Sequence, residues 1–218
     1  PGNNAKLYAV ISVDKKPAFF ISSDSGLTWK KETELNGKGN NIFIYPDSPQ
    51  NDRTICITGN DFVLSCEKGR WKENKIPNEI SRFNTVTGGF EKETNNLVLY
   101  AISGKSYFNA ENDPSGIYYS ADGGKTWQNR ETGLLQQSAA GSATPEWRTI
   151  STCLTHPNVV YLSYNNFQIN KDTVAIGVAK STDYGKTWEF VWKDKISEAT
   201  GFTTLNFDGG WLNERFGP

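Results

Sequence analysis

Five carboxylates stand in or beside segments too long and too polar to be simple turns. Glu111 and Asp113 lie in 103–115, Glu146 closes 129–146, and Asp208 and Glu214 fall in the terminal stretch. Cleavage of a glycosidic bond generally takes two carboxyl groups flanking it, one protonated and one ionised. Glu111 and Glu146 are the pair expected to act as acid and base, although a loop carboxylate is more often simply solvated. Arg82, Arg148 and Arg215 present guanidinium forks suited to a substrate carboxylate, which would fit an acidic sugar cleaved by hydrolysis or by elimination. The same arginines could instead bridge loops. A sugar ring also needs an aromatic face for its C–H patches and planar amides for its hydroxyls. Tyr107, Phe108, Trp147, Tyr164, Asn165 and Asn166 supply that mixture. Arg82, Tyr107, Trp147, Arg148, Tyr164 and Asn165 are therefore the expected substrate contacts, with packing inside the fold as the competing role for the aromatics.

Other chemistries find little to work with. His156 is the single histidine and sits in Thr155-His156-Pro157-Asn158, which reads as a turn, so no zinc-type cluster exists and no metal site is expected. Gly88-Gly89 and Gly209-Gly210 lack the Lys-Ser/Thr of a phosphate loop, no EF-hand pattern occurs, and no cofactor is expected. With 23 basic and 24 acidic side chains the formal charge is −1, without the basic footprint of a nucleic-acid binder. No apolar run approaches the roughly 18–20 residues of a membrane helix. The chain contains no Met, not even at position 1, and reads as a processed or excised segment. Of its three cysteines, Cys56 and Cys66 flank a hairpin tip at Asn60-Asp61 and could face each other, or could be small buried thiols in strands.

The elements that must position these residues are strands. Aromatics make up 13% of the chain and there are 20 glycines, while helical spacing of apolar residues is scarce. A search for internal repeats finds Ser-x-Asp-x-Gly-x-Thr-Trp three times, at 22–29, 120–127 and 181–188, and a decayed copy, one residue shorter and without the Asp, at 65–71. Each octapeptide reads as a hairpin turn: the Asp accepts hydrogen bonds from its own turn, the Gly supplies positive φ, and the Trp begins the return strand and plugs the gap between units. The aspartates Asp24, Asp122 and Asp183 and the tryptophans Trp29, Trp127 and Trp188 are accordingly expected to be structural. A β run precedes each copy (18–22, 62–65, 116–120, 174–181), another lies upstream (7–12, 54–58, 97–103, 159–164), and a third precedes three of those (41–45, 83–87, 149–155). The unit is four antiparallel strands, A-B-C-D, with the repeat at the C-to-D turn.

On these motifs the chain resembles the Asp-box, or bacterial-neuraminidase-repeat, β-propellers, a superfamily that includes sialidases, xyloglucan-active hydrolases, sortilin-type receptor domains and photosystem assembly factors. The resemblance implies an all-β propeller of four-stranded blades, approximately 1–35, 36–78, 79–135 and 136–200, with 201–218 starting another. It also implies that the chain is a piece of a ring of six or more blades, whose remainder would be a partner. A closed four-bladed ring is the alternative. In the resembling enzymes the boxes lie away from the active site, which directs attention to the B-to-C and D-to-A loops. The sialidase Arg-Ile-Pro motif is missing from this chain, so sialidase activity is not expected. The implied function is that of an extracytoplasmic carbohydrate-active enzyme, secreted, periplasmic or at the cell surface, acting on a polysaccharide or oligosaccharide. The competing class is a non-catalytic propeller that binds a glycan or a protein.

Overall fold

The computed structural model describes residues 6–49, 52–103, 116–131, 134, 146–170 and 173–196. Fifteen strands occur among them, arranged in four antiparallel sheets. The first sheet holds β1 (Leu7–Val13), β2 (Lys16–Ser22) and β3 (Lys30–Glu34). The second holds β4 (Gly39–Ile44), β5 (Ile55–Gly59), β6 (Phe62–Glu67) and β7 (Arg70–Lys75). The third holds β8 (Thr85–Phe90), β9 (Leu97–Ser103), β10 (Gly116–Ser120) and β11 (Gln128–Asn129), and the fourth β12 (Glu146–Thr152), β13 (Val160–Asn170), β14 (Thr173–Ser181) and β15 (Glu189–Ile196). Every strand pairs with its chain neighbour, so each sheet is a meander, and the first consists of B, C and D alone.

Burial follows strand position. The B strands β5 and β9 are buried along their whole length, because a sheet covers them on both sides. Their sequences, Ile-Cys-Ile-Thr and Leu-Val-Leu-Tyr-Ala-Ile, are accordingly near-continuous apolar runs rather than alternating ones. The D strands β3 and β7 are mostly exposed and charged. Three apolar layers separate the sheets. Phe19, Ile57, Phe62 and Leu64 lie between the first and second, Phe83, Val86, Leu99 and Tyr118 between the second and third, and Tyr100, Ile117, Leu162 and Trp188 between the third and fourth. Sheets stacked face to face in this way are the blades of a β-propeller.

The innermost strands depart most from the sequence reading. β8 runs to Phe90 and not to residue 87, carrying Gly88 and Gly89 inside the strand. A Cβ on Gly89 would lie 2.5 Å from the Leu154 carbonyl oxygen and 2.8 Å from that of Cys153, so the two glycines are where neighbouring backbones close up. β12 ends at Thr152, because 153–159 folds into a turn closed by the Cys153 amide on the Val159 carbonyl (3.1 Å) and the Val159 amide on the His156 carbonyl (2.9 Å). Register also decides the cysteines. Cys56 opposes Ser65 and Cys66 opposes Ile55, so the two thiols point to opposite faces, into different layers, and both are free.

Candidate functional site

The repeats share one hydrogen-bond network. The Ser22 hydroxyl donates to Asp24 Oδ1 (2.8 Å), the Gly26 amide to Ser22 Oγ (2.8 Å), and the Thr28 amide and hydroxyl to the two Asp24 oxygens (2.8 and 2.5 Å). The same bonds recur around Asp122 and Asp183 at 2.7–2.9 Å. Two consecutive residues in each turn are left-handed: Ser25 and Gly26, Gly123 and Gly124, Tyr184 and Gly185. Hydrogen bonds from Thr28, then from Ser22, hold the Asp24 carboxyl down to about 2. Burial works against Asp122 and Asp183, yet the bonds from Thr126 and Ser120, and from Thr187 and Ser181, still leave both lowered.

Each tryptophan faces the preceding sheet. Trp188 is 7% exposed and its indole donates to the Arg130 carbonyl at 2.9 Å; Trp127 packs on Phe83 with ring centroids 4.6 Å apart. Trp29, with no described sheet before it, is 41% exposed, although its indole bonds the Gly26 carbonyl just as that of Trp127 bonds Gly124. The decayed copy behaves differently. Lys68 and Gly69 form a tight two-residue turn with positive φ, and Trp71 still points at the first sheet, edge-on to Phe19 at 5.4 Å.

The expected substrate contacts divide into three groups. Glu111 and Tyr107 lie outside the described residues, as do Phe108, Asp113, Asp208, Glu214 and Arg215. Glu146, Trp147, Tyr164 and Asn165 are brought together as cross-strand neighbours of β12 and β13, Glu146 opposite Asn165 and Trp147 opposite Tyr164; the side chains of Glu146 and Asn165 are not among those described. Of the two roles open to the aromatics, Trp147 and Tyr164 take packing. They are 6% and 3% exposed, buried in the layer between the third and fourth sheets, with Tyr164 edge-on to Phe190 at 5.4 Å. Arg148 is exposed where the register of β12 slips between Trp147 and Thr149, and Arg82 is half-buried ahead of β8.

One carboxylate that the sequence reading passed over stands beside them. Glu131 is 8% exposed, accepts a 2.6 Å hydrogen bond from the Trp147 indole, and has its own amide bonded to Asn129 Oδ1 at 2.8 Å. Burial raises its carboxyl against the lowering effect of the Trp147 and Asn129 bonds. The Tyr118 hydroxyl is likewise raised, first by burial, within the fields of Glu79 and Glu131 and in hydrogen-bond contact with Asn129 and Ser103. Ser103 and Gly116, paired at the ends of β9 and β10, root one long excursion, and Asn129, Glu131 and Trp147 root the other. The sequence signal for Glu131 was Trp147 itself, since a buried indole N–H requires an acceptor.

On the opposite face, at the C-to-D turns, a cleft of about 100 Å³ opens between the first and second sheets, lined by Lys6, Tyr8, Glu32, Asp52, Arg53 and Trp71 among others. Burial first, then the charges of Asp52 and Glu32, push up the Cys66 thiol in its wall.

Stacked antiparallel meanders, three of them four-stranded, with a recurrent C-to-D turn define the protein as a β-propeller. The profile of the family described as Sortilin-Vps10 (sortilin, neurotensin receptor 3) matches residues 17–207, and the chain belongs to that family. Among solved structures it is similar to the Niastella koreensis GH74 enzyme, with a TM-score of 0.52 and 14% identity, over 88% of this chain and 28% of that one. The chain thus spans little more than a quarter of that enzyme's length. A weaker likeness, with a TM-score of 0.36 and 11% identity over 80% of this chain and 74% of the other, is to YCF48 bound to D1 peptide. No curated protein matches the sequence.

Proposed function

We propose that the chain is a propeller segment of an extracytoplasmic carbohydrate-active protein that takes a polysaccharide on the face opposite the repeat turns. The observation behind this reading is Glu131, a buried carboxyl held above the ordinary glutamate range, bonded to Trp147 and Asn129 at the root of one long excursion and with Tyr118, beside the root of the other, in its field. A carboxyl raised by burial is suited to give its proton to a leaving glycosidic oxygen, while an ionised partner, Glu111 or Glu146, completes the pair. Arg148 and Arg82 are the cations for an acidic sugar, and Tyr107 and Asn165 further contacts. The apolar outward faces of the first and fourth sheets support flanking by further blades of the same propeller.

The test is product analysis on neutral and acidic polysaccharides, following reducing ends and the absorbance of unsaturated sugars. Reducing ends alone define a hydrolase and both signals together a lyase. Glu131→Gln and one of Glu111→Gln and Glu146→Gln should abolish turnover, the latter two thereby identifying the ionised partner, and an unchanged rate in any variant would remove that residue. The second reading, a non-catalytic binding propeller, is favoured by membership of a family named for a receptor. Saturable binding of a polysaccharide or peptide without new products would establish it.

A further inference from the structure

The cleft between the first and second sheets exists because the second repeat has decayed. At the intact turns the glycine is packed in: a Cβ on Gly124 would stand 3.1 Å from Val63 on the preceding sheet, and one on Gly185 3.2 Å from Arg130. At Gly69 the same construction meets nothing within 4 Å. The decayed copy, one residue shorter and without the Asp, turns in a short hairpin at Lys68-Gly69 that leaves open space beside it. Tyr8 and Trp71 supply half-buried aromatic surface, the two flanking Phe19. Glu32 and Asp52 supply carboxylates, and Asp52 Oδ1 is buried without a hydrogen-bond partner among the described residues. The cations are committed elsewhere in part: Arg53 donates to the carbonyls of Pro46 (2.5 Å) and Ser48, which fixes the A-to-B loop that carries Asp52.

We propose that this cleft is a binding site for a single neutral pyranose residue of a glycan, separate from the site on the opposite face and independent of the function assigned there. At about 100 Å³ the cleft has the volume of roughly three waters, so it seats one edge of a single ring while the rest stays in solvent, and it is too small for a longer stretch of glycan. The aromatic side chains match the C–H face of such a ring, and Glu32, on the exposed strand β3, accepts from its hydroxyls.

Titration of the full chain with cellotetraose, xylotetraose and mannotetraose, read by calorimetry, tests the assignment. Saturable binding of at least one is expected, weakened at least tenfold by Glu32→Gln, which removes an acceptor from an exposed strand, and by Tyr8→Leu, which keeps apolar bulk but loses the aromatic face. Circular dichroism of both variants should match the parent. No saturable binding to any of the three, or equal affinity in parent and both variants, would overturn it. So would a cationic lysine peptide that binds the parent while the sugars do not, because the carboxylates would then be serving a charge.

Discussion

Asp122 receives the Thr126 amide and hydroxyl and the Ser120 hydroxyl at 2.7–2.9 Å in a half-buried turn. Removing the carboxylate leaves those donors short of partners, and Asp122→Ala should cost about 2–3 kcal/mol by urea unfolding, at the scale of hydrogen bonds to a charged acceptor. A change below a few tenths would mean the turn holds without it. All three repeat carboxyls are lowered in the folded state, so their contribution is complete above the usual aspartate range and is lost as pH falls through it. For Asp24 the window runs from 3.8 down to about 2. Melting temperature should therefore drop across that interval, and less steeply in Asp24→Asn. The cysteines offer an independent check on environment. Burial pushes the Cys56 thiol up to about 12, whereas backbone and hydroxyl contacts from Thr155, then the His156 ring, bring exposed Cys153 down to about 7. Iodoacetamide should label Cys153 alone in the native protein, with a rate midpoint near pH 7 that moves upward in His156→Ala. Prompt labelling of Cys56 would contradict the layered core.

The innermost strands carry the tightest constraint among the elements. Gly89 on β8 lies so close to the Leu154 and Cys153 carbonyls that Gly89→Ala must push the fourth sheet away, and backbone oxygens cannot turn aside as a side chain could. The expected loss is about 1–3 kcal/mol of stability, measured by thermal unfolding. A neutral substitution would mean the two sheets are loosely joined there. These strands were also where sequence pattern was least informative. The repeats fixed the C-to-D turns because Asp, Gly and Trp have separate tasks at set spacing, and the B and C strands followed as the apolar runs upstream of them. Gly88-Gly89 reads in sequence as a break, and only the neighbouring backbone explains why a strand runs through it. Trp147 and Tyr164 were ambiguous for a similar reason: an aromatic at the root of a long excursion is suited equally to a sugar or to the next sheet. Glu131 was hidden among loop charges, and the cleft was invisible because it arises from what the second repeat lacks.

At the scale of the whole molecule the layered packing has two unfinished sides. Leu7, Ile11 and Val13 alternate onto the outer face of β1 at 41%, 47% and 48% exposure, and Leu27 and Trp29 extend that face through the first repeat turn at 85% and 41%. On the fourth sheet Tyr161, Val191 and Trp192 are 42–46% exposed, with Lys180 over the Tyr161 ring. Between sheets, the same positions are filled: Trp127 and Trp188 bury themselves against the preceding sheet where Trp29 meets none. A contiguous apolar face of this kind gains about 25 cal/mol for each Å² withdrawn from water, so the 218-residue chain on its own should cover it with a second copy. Sedimentation velocity should show a weight-average mass that rises with concentration. Ile11→Lys, which places a charge at the centre of the first outer face without touching any of the three layers, should shift that rise to higher concentration while leaving the melting temperature at low concentration unchanged. A monomer that stays monodisperse across the range would mean that these faces are tolerated in water. In that case they could not be read as surfaces awaiting another blade.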